Sequence, residues 1–171
     1  MTTTYTALAI PPAALAQLRA VDDAGRACRA FTADEEAAGS PLRCCLRGVR
    51  AGERIALVSY APLRRWAAGN GAEPGAYDEQ GPVFIHAEEC GGPEAEPGSY
   101  PFDRPGALRT LRRYDAGGRI VGGRLFEIPE AATDGFDRAF AEAFADPAVA
   151  LVHVRAVEYG CFHFEVRRDT P

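Results

Sequence analysis

The chain has 171 residues, 47% hydrophobic and 25% charged, and a formal net charge of −5, the balance of an ordinary globular domain rather than of a broad nucleic-acid surface. All 19 basic residues are arginine, which excludes an internal Schiff base with pyridoxal phosphate, a P-loop lysine and a kinase-type phosphate lysine. No run approaches the roughly 18 apolar residues of a membrane span, and MTTTYT lacks the basic start of a secretory signal, so a cytoplasmic protein with no membrane partner is expected.

A first strand is predicted around residues 5–10. Pro11 and Pro12 then open a helix in which Leu15, Leu18 and Val21 recur at helical spacing and Gly25 is the stop. Residues 42–49 and 54–60 read as short strands on either side of a turn, and Pro62 ends the second. Residues 67–80, rich in Gly and Ala with Asn70 and Pro74, read as a loop before a strand over 82–90; residues 91–106, with Pro93, Pro97, Pro101 and Pro105, form a second irregular stretch. Residues 108–114 and 119–128 make a hairpin about Asp115–Gly118. A helix follows, capped by Thr133 or Asp134, with Phe136, Phe140 and Phe144 at i, i+4 and i+8, and Asp146 and Pro147 closing it. Helices flank strand-rich blocks instead of alternating with single strands. That order predicts a single α+β domain over 1–171, with a mostly antiparallel sheet and an N-terminal and a later amphipathic helix packed on it.

The last strand pair, VALVHVRAVEYGCFHFEVR over 149–167, alternates almost without error. Val152, Val154, Phe162, Phe164 and Val166 are expected on one face, and His153, Arg155, Cys161, His163 and Glu165 on the other. A three-residue loop over 158–160 would place His153 opposite Glu165, Arg155 opposite His163 and Val157 opposite Cys161.

Five ordered segments carry a family resemblance: PLRCCL at 41–46, GERIALVSYAP at 52–62, Tyr77 with GPVFIH at 81–86, RRYD at 112–115, and VHVR at 152–155 with YGC at 159–161. Together they resemble the bacterial family catalogued as domain of unknown function 1203. The resemblance implies a stand-alone bacterial domain in which Arg43, Tyr60, Gly81, Pro82, His86, Arg155, Gly160 and Cys161 belong to recurring motifs. It brings no activity with it.

The reading favoured by the sequence is recognition of a small anionic ligand by Arg43, Tyr60, Tyr77, His86, His153 and Arg155, with Arg112 or Arg113, because guanidinium groups clamp carboxylate or phosphate while Tyr and His orient it. The alternative from another class is a Cys/His-dependent or metal-assisted hydrolase, with Cys161, His163 and His86 as catalytic candidates and His86, Cys90, His153 and His163 as metal-ligand candidates. His86, Glu88 and Cys90 would share a strand face. A third reading is an interaction module without chemistry. Five irregularly spaced cysteines fit reduced thiols. Adjacent Cys44 and Cys45 would point to opposite faces, one in the core and both inert. The pairs Gly117–Gly118 and Gly122–Gly123 lack a Gly-x-Gly-x-x-Gly pattern, so no nucleotide or pyridoxal phosphate signature is present and no cofactor is named. Oligomeric state is not legible in these residues.

Overall fold

A computed structural model describes residues 3–168. Its elements in chain order are α1 (Pro12–Leu18), β1 (Ala30–Thr32), β2 (Arg54–Tyr60), α2 (Pro62–Asn70), β3 (Gly81–His86), β4 (Leu108–Asp115), β5 (Ile120–Glu127), α3 (Ala132–Phe144), β6 (Val149–Ala156) and β7 (Phe162–Arg167). The strands form two antiparallel sheets, one in the order β1-β2-β3 and one in the order β5-β4-β6-β7, so the fold is α+β as the element order requires. No helix among the described residues is long and apolar enough to cross a membrane.

The Phe136, Phe140 and Phe144 stripe of α3 packs on Val152, Val154, Phe164 and Val166, the inward side of β6 and β7. Ile10, Leu15, Leu18, Leu42, Ile55, Val58, Ile85 and Phe162 form a second cluster around the smaller sheet. The two meet at Phe162, whose ring lies 5.7 Å from Tyr60 of β2 and 5.0 Å from His153 of β6. Leu63 and Trp66 of α2 close over Tyr114 and Leu151.

Several local expectations are corrected. Residues 5–10 form no strand beyond one isolated bridge from Leu8 to Glu165. Residues 42–49 are a tight turn: the Leu42 N–H donates to the Arg47 carbonyl (2.8 Å), the Leu46 N–H donates to the Leu42 carbonyl (3.0 Å), and Leu46 has φ 58°. Residues 62–70, read as a strand end running into a loop, are the helix α2. Pro62 fits its first turn, Leu63, Trp66 and Ala67 bury one face, and Gly71 closes it at φ 65°. The strand expected over 82–90 stops at His86. Neither Thr133 nor Asp134 caps α3, which begins after Ala131 without a side-chain cap.

In the last hairpin, His153 pairs with Glu165 as expected, but Arg155 pairs with Phe162. Between the Val154–Phe164 and Arg155–Phe162 pairs β7 takes two steps where β6 takes one, so His163 is a bulge residue. The extra residue reverses which side faces inward: Phe162 joins His153, while His163 packs against Phe102 at 5.0 Å. No open polar face results, because β7 is buried from Phe162 to Val166.

Gly135 in the first turns of α3 lies where an added Cβ would run into the Pro129 ring. Glycine to alanine in a helix ordinarily stabilises by about 1 kcal/mol, whereas forced overlap in a packed core costs about 1–3 kcal/mol. Gly135→Ala is therefore expected to lower stability despite its better helix propensity, measured by chemical denaturation. A stabilised variant would contradict the packing described.

Candidate metal centre and arginine face

The turn at 41–48 docks on the edge of β3. Leu42 bridges Phe84 in parallel, and the Arg43 N–H donates to the Phe84 carbonyl at 2.9 Å. This places the residues just after Leu42 against His86, at the end of the same strand. Because the backbone there is a turn rather than a strand, Cys44 and Cys45 do not point to opposite faces. Both are buried, and their Sγ atoms are 3.9 Å apart.

His86 Nδ1 lies 3.4 Å from Cys44 Sγ and 3.7 Å from Cys45 Sγ. Past His86 the chain leaves the sheet; Glu88 turns out to Arg54 (3.4 Å), and Cys90 comes back beside the other two thiols. The four donor atoms of Cys44, Cys45, His86 and Cys90 all lie within 4.8 Å of one another. A tetrahedral zinc with bonds of about 2.3 Å to sulfur and about 2.0 Å to nitrogen has ligand-to-ligand edges of about 3.8 Å between sulfurs and about 3.5 Å between sulfur and nitrogen. The three inner separations match those edges.

The surroundings fit a thiolate centre. The His86 N–H donates to Cys44 Sγ at 3.2 Å. Cys45 is held down to about 6, first by the hydrogen bond from Cys44, with His86 and the Arg47 backbone N–H adding to it against the effect of burial. Cys44, which donates that bond, is pushed up by it and by burial. His86 Nε2 lies 3.4 Å from both Glu53 Oε1 and Arg47 Nη2, and the tautomer that carries its proton on Nε2, turned to Glu53, leaves the Nδ1 lone pair free for the centre. Glu53 is itself gripped by Arg47 through Nη1 (3.1 Å) and Nη2 (2.5 Å), which holds its carboxyl at about 2. Cys45, His86 and Cys90 line a cavity of about 810 Å³, to whose lining residues 92–103 also contribute.

The other sequence candidates lie elsewhere. His153 is fully buried and bonds Glu165 at 2.8 Å; burial pushes the imidazole's pKa below its ordinary value against the pull of Glu165, and Arg167 Nε donates to the second carboxylate oxygen at 2.5 Å. His163 is buried with Nδ1 unpartnered. Cys161 Sγ has the Tyr159 carbonyl as its partner at 3.9 Å, and among the described residues no hydrogen bond joins it to His163. Tyr60 is buried against Phe162, and Tyr77 is exposed. Arg43 does not reach His86; it donates to the Phe162 carbonyl (2.7 Å) and the Pro41 carbonyl (2.5 Å). Arg155 donates to the Gly160 carbonyl (3.0 Å) and, with Arg112, contacts Glu79. The six residues expected to share an anion pocket are thus spread over two cavities, the core and the surface, with His86 in one cavity, Tyr60 and Arg155 in the other, and Tyr77 exposed. Sequence reasoning included His86 and Cys90 among the metal candidates and missed Cys44 and Cys45, whose adjacency is the signal that could have joined them.

Residues 39–168, which include all four donors and these arginines, match the family described as Protein of unknown function (DUF1203), and the chain belongs to it. Comparison with the curated proteins and with solved structures finds no match.

His163 is held down to about 3 by burial and then by Arg43, Arg109 and Arg155. Its folded form is neutral while the unfolded side chain takes up a proton near its ordinary 6.5, so stability falls as pH drops from about 6.5 to about 3, by about 1.4 kcal/mol per unit from this group. His163→Leu is expected to flatten the acid limb of denaturant stability by up to that slope. An unchanged limb would show that His163 is not the buried neutral group described.

Proposed function

We propose that this DUF1203 protein is a metal-binding domain that holds one zinc ion on Cys44, Cys45, His86 and Cys90. The observation that carries the reading is the convergence of one imidazole nitrogen and three thiol sulfurs, drawn from a turn, a strand end and the segment beyond it, to within 4.8 Å of one another. Thiolate-rich sets select soft or borderline ions, and Cys₃His in a tetrahedral shell suits zinc. Glu53 serves as the outer carboxylate that orients His86, with Arg47 holding Glu53 in place.

Four protein donors fill a tetrahedral shell, leaving no position for an activated water while all are bound. This favours a centre that cross-links the turn at 41–48, the end of β3 and Cys90 over a metal-assisted hydrolase. Bound metal would tie down the start of the irregular 91–106 segment through Cys90, so metal affinity would add directly to folding stability. Recognition of a small anion is a separate property, sought at the arginine face, and uses none of these four donors.

Tag-free protein purified reduced and without chelator is expected to contain close to one zinc per chain by elemental analysis, lost in His86→Ala and in Cys44→Ser. Removing the metal with a chelator should lower the melting temperature, and re-adding zinc should restore it. Glu53→Gln is expected to weaken zinc roughly 10- to 100-fold without abolishing it. Protein that carries no metal and whose melting temperature ignores added zinc would overturn the reading.

A further inference from the structure

The chain is acidic as a whole, yet the interior at the start of β7 is cationic. Arg43 is 3% exposed and Arg109 7% exposed. Among the described residues neither side chain has a carboxylate partner. Arg43 donates to the Phe162 and Pro41 carbonyls, and Arg109 donates to the Leu108 and Phe102 carbonyls at 2.7 and 2.8 Å. Arg155, its side chain 14% exposed, shares one carboxylate with Arg112: Arg112 Nη1 lies 3.0 Å from both oxygens of Glu79, and Arg155 Nη2 lies 3.4 Å from Oε2. The other acid within this group's electrostatic reach on the β6–β7 loop, Glu158, is exposed, and Glu165 is already taken by His153 and Arg167. Buried charge is costly unless it is paired, and here cations outnumber the acids that face them.

A cavity of about 200 Å³ opens against this group, lined by Tyr60, Glu79, Arg155, Gly160, Cys161 and Phe162 among others. It is separate from the metal centre, for none of the four donors lines it. At roughly 30 Å³ per water-sized group it has room for about six such groups, the size of one phosphate or a short carboxylate. Glu79 sits in the irregular link between the 3-10 turn Gly75–Tyr77 and β3, with its side chain 48% exposed. Half-exposed ion pairs contribute little to stability, so this carboxylate can be displaced.

We propose that this cavity binds a small oxyanion, a single phosphate or carboxylate group, through the guanidinium groups of Arg155 and Arg112, and that Glu79 occupies the anion's place when none is bound. Arg43 adds positive potential from behind: it donates to the carbonyl of Phe162, which lines the cavity together with Arg155. Paired guanidinium forks are suited to the planar or tetrahedral oxygens of such groups.

The test is calorimetric titration of inorganic phosphate and, separately, of succinate into the full chain at low ionic strength, for the wild type, Glu79→Gln, Arg155→Gln and Arg112→Gln. At least one of the two anions is expected to bind saturably at one site, at least tenfold tighter in Glu79→Gln and at least tenfold weaker in each arginine variant. Which anion does so identifies the group recognised. Arg112 is more exposed than Arg155, so its variant carries the test if Arg155→Gln fails to fold. No saturable binding of either anion to wild type and Glu79→Gln would overturn the proposal. So would binding that Glu79→Gln does not tighten or that Arg112→Gln does not weaken.

Discussion

The docking of the 41–48 turn on the edge of β3 is the contact on which the candidate sites depend. Two backbone features fix it, the parallel bridge from Leu42 to Phe84 and the hydrogen bond from the Arg43 N–H to the Phe84 carbonyl. On one side of that seam Cys44 and Cys45 are carried to His86. On the other, the Arg43 guanidinium is carried through the core to the Phe162 carbonyl at the start of β7. One backbone contact therefore sets both the sulfur-rich cluster and part of the cationic interior, and it joins the smaller sheet to the larger one.

The chemistry at the two places differs because the charges that surround them differ. Around His86 the nearest strong charges are an Arg47–Glu53 pair that is internally balanced, so a divalent ion with thiolate ligands meets little net field. Around His163, burial first and then the charges of Arg43, Arg109 and Arg155 hold the imidazole neutral. A cation suits the first place and an anion the second. The His153–Glu165 hydrogen bond between the sheets does a third job: with Arg167 on the second carboxylate oxygen, it pairs polar side chains in a layer otherwise filled by Tyr114 and Phe162, while His153 Nδ1 has no partner among the described residues.

Strand periodicity made much of the larger sheet legible. The β4–β5 hairpin, the phenylalanine stripe of α3 and the pairing of His153 with Glu165 all follow from alternation, turn residues and i, i+4 spacing. What was not legible depends on single-residue departures from period. One bulge residue, His163, moved Phe162 across the sheet and removed the polar face that alternation implies. A turn in place of a strand at 42–49 converted two thiols expected on opposite faces into neighbours. The end of β3 at His86, where the chain turns off, is what lets Cys90 return to the imidazole; an unbroken strand would have carried it away. Such sites are assembled from segments far apart in sequence, and here no compact Cys-x-x-Cys spacing marks them.

The coordination shell itself is the most direct point of contact with experiment. X-ray absorption at the zinc edge of the purified protein is expected to show about three sulfurs near 2.3 Å and one nitrogen near 2.0–2.1 Å. A sulfur count that falls by one in Cys45→Ser would tie the signal to the turn at 41–48. A shell built only of nitrogen and oxygen, or one unchanged in Cys45→Ser, would contradict the account.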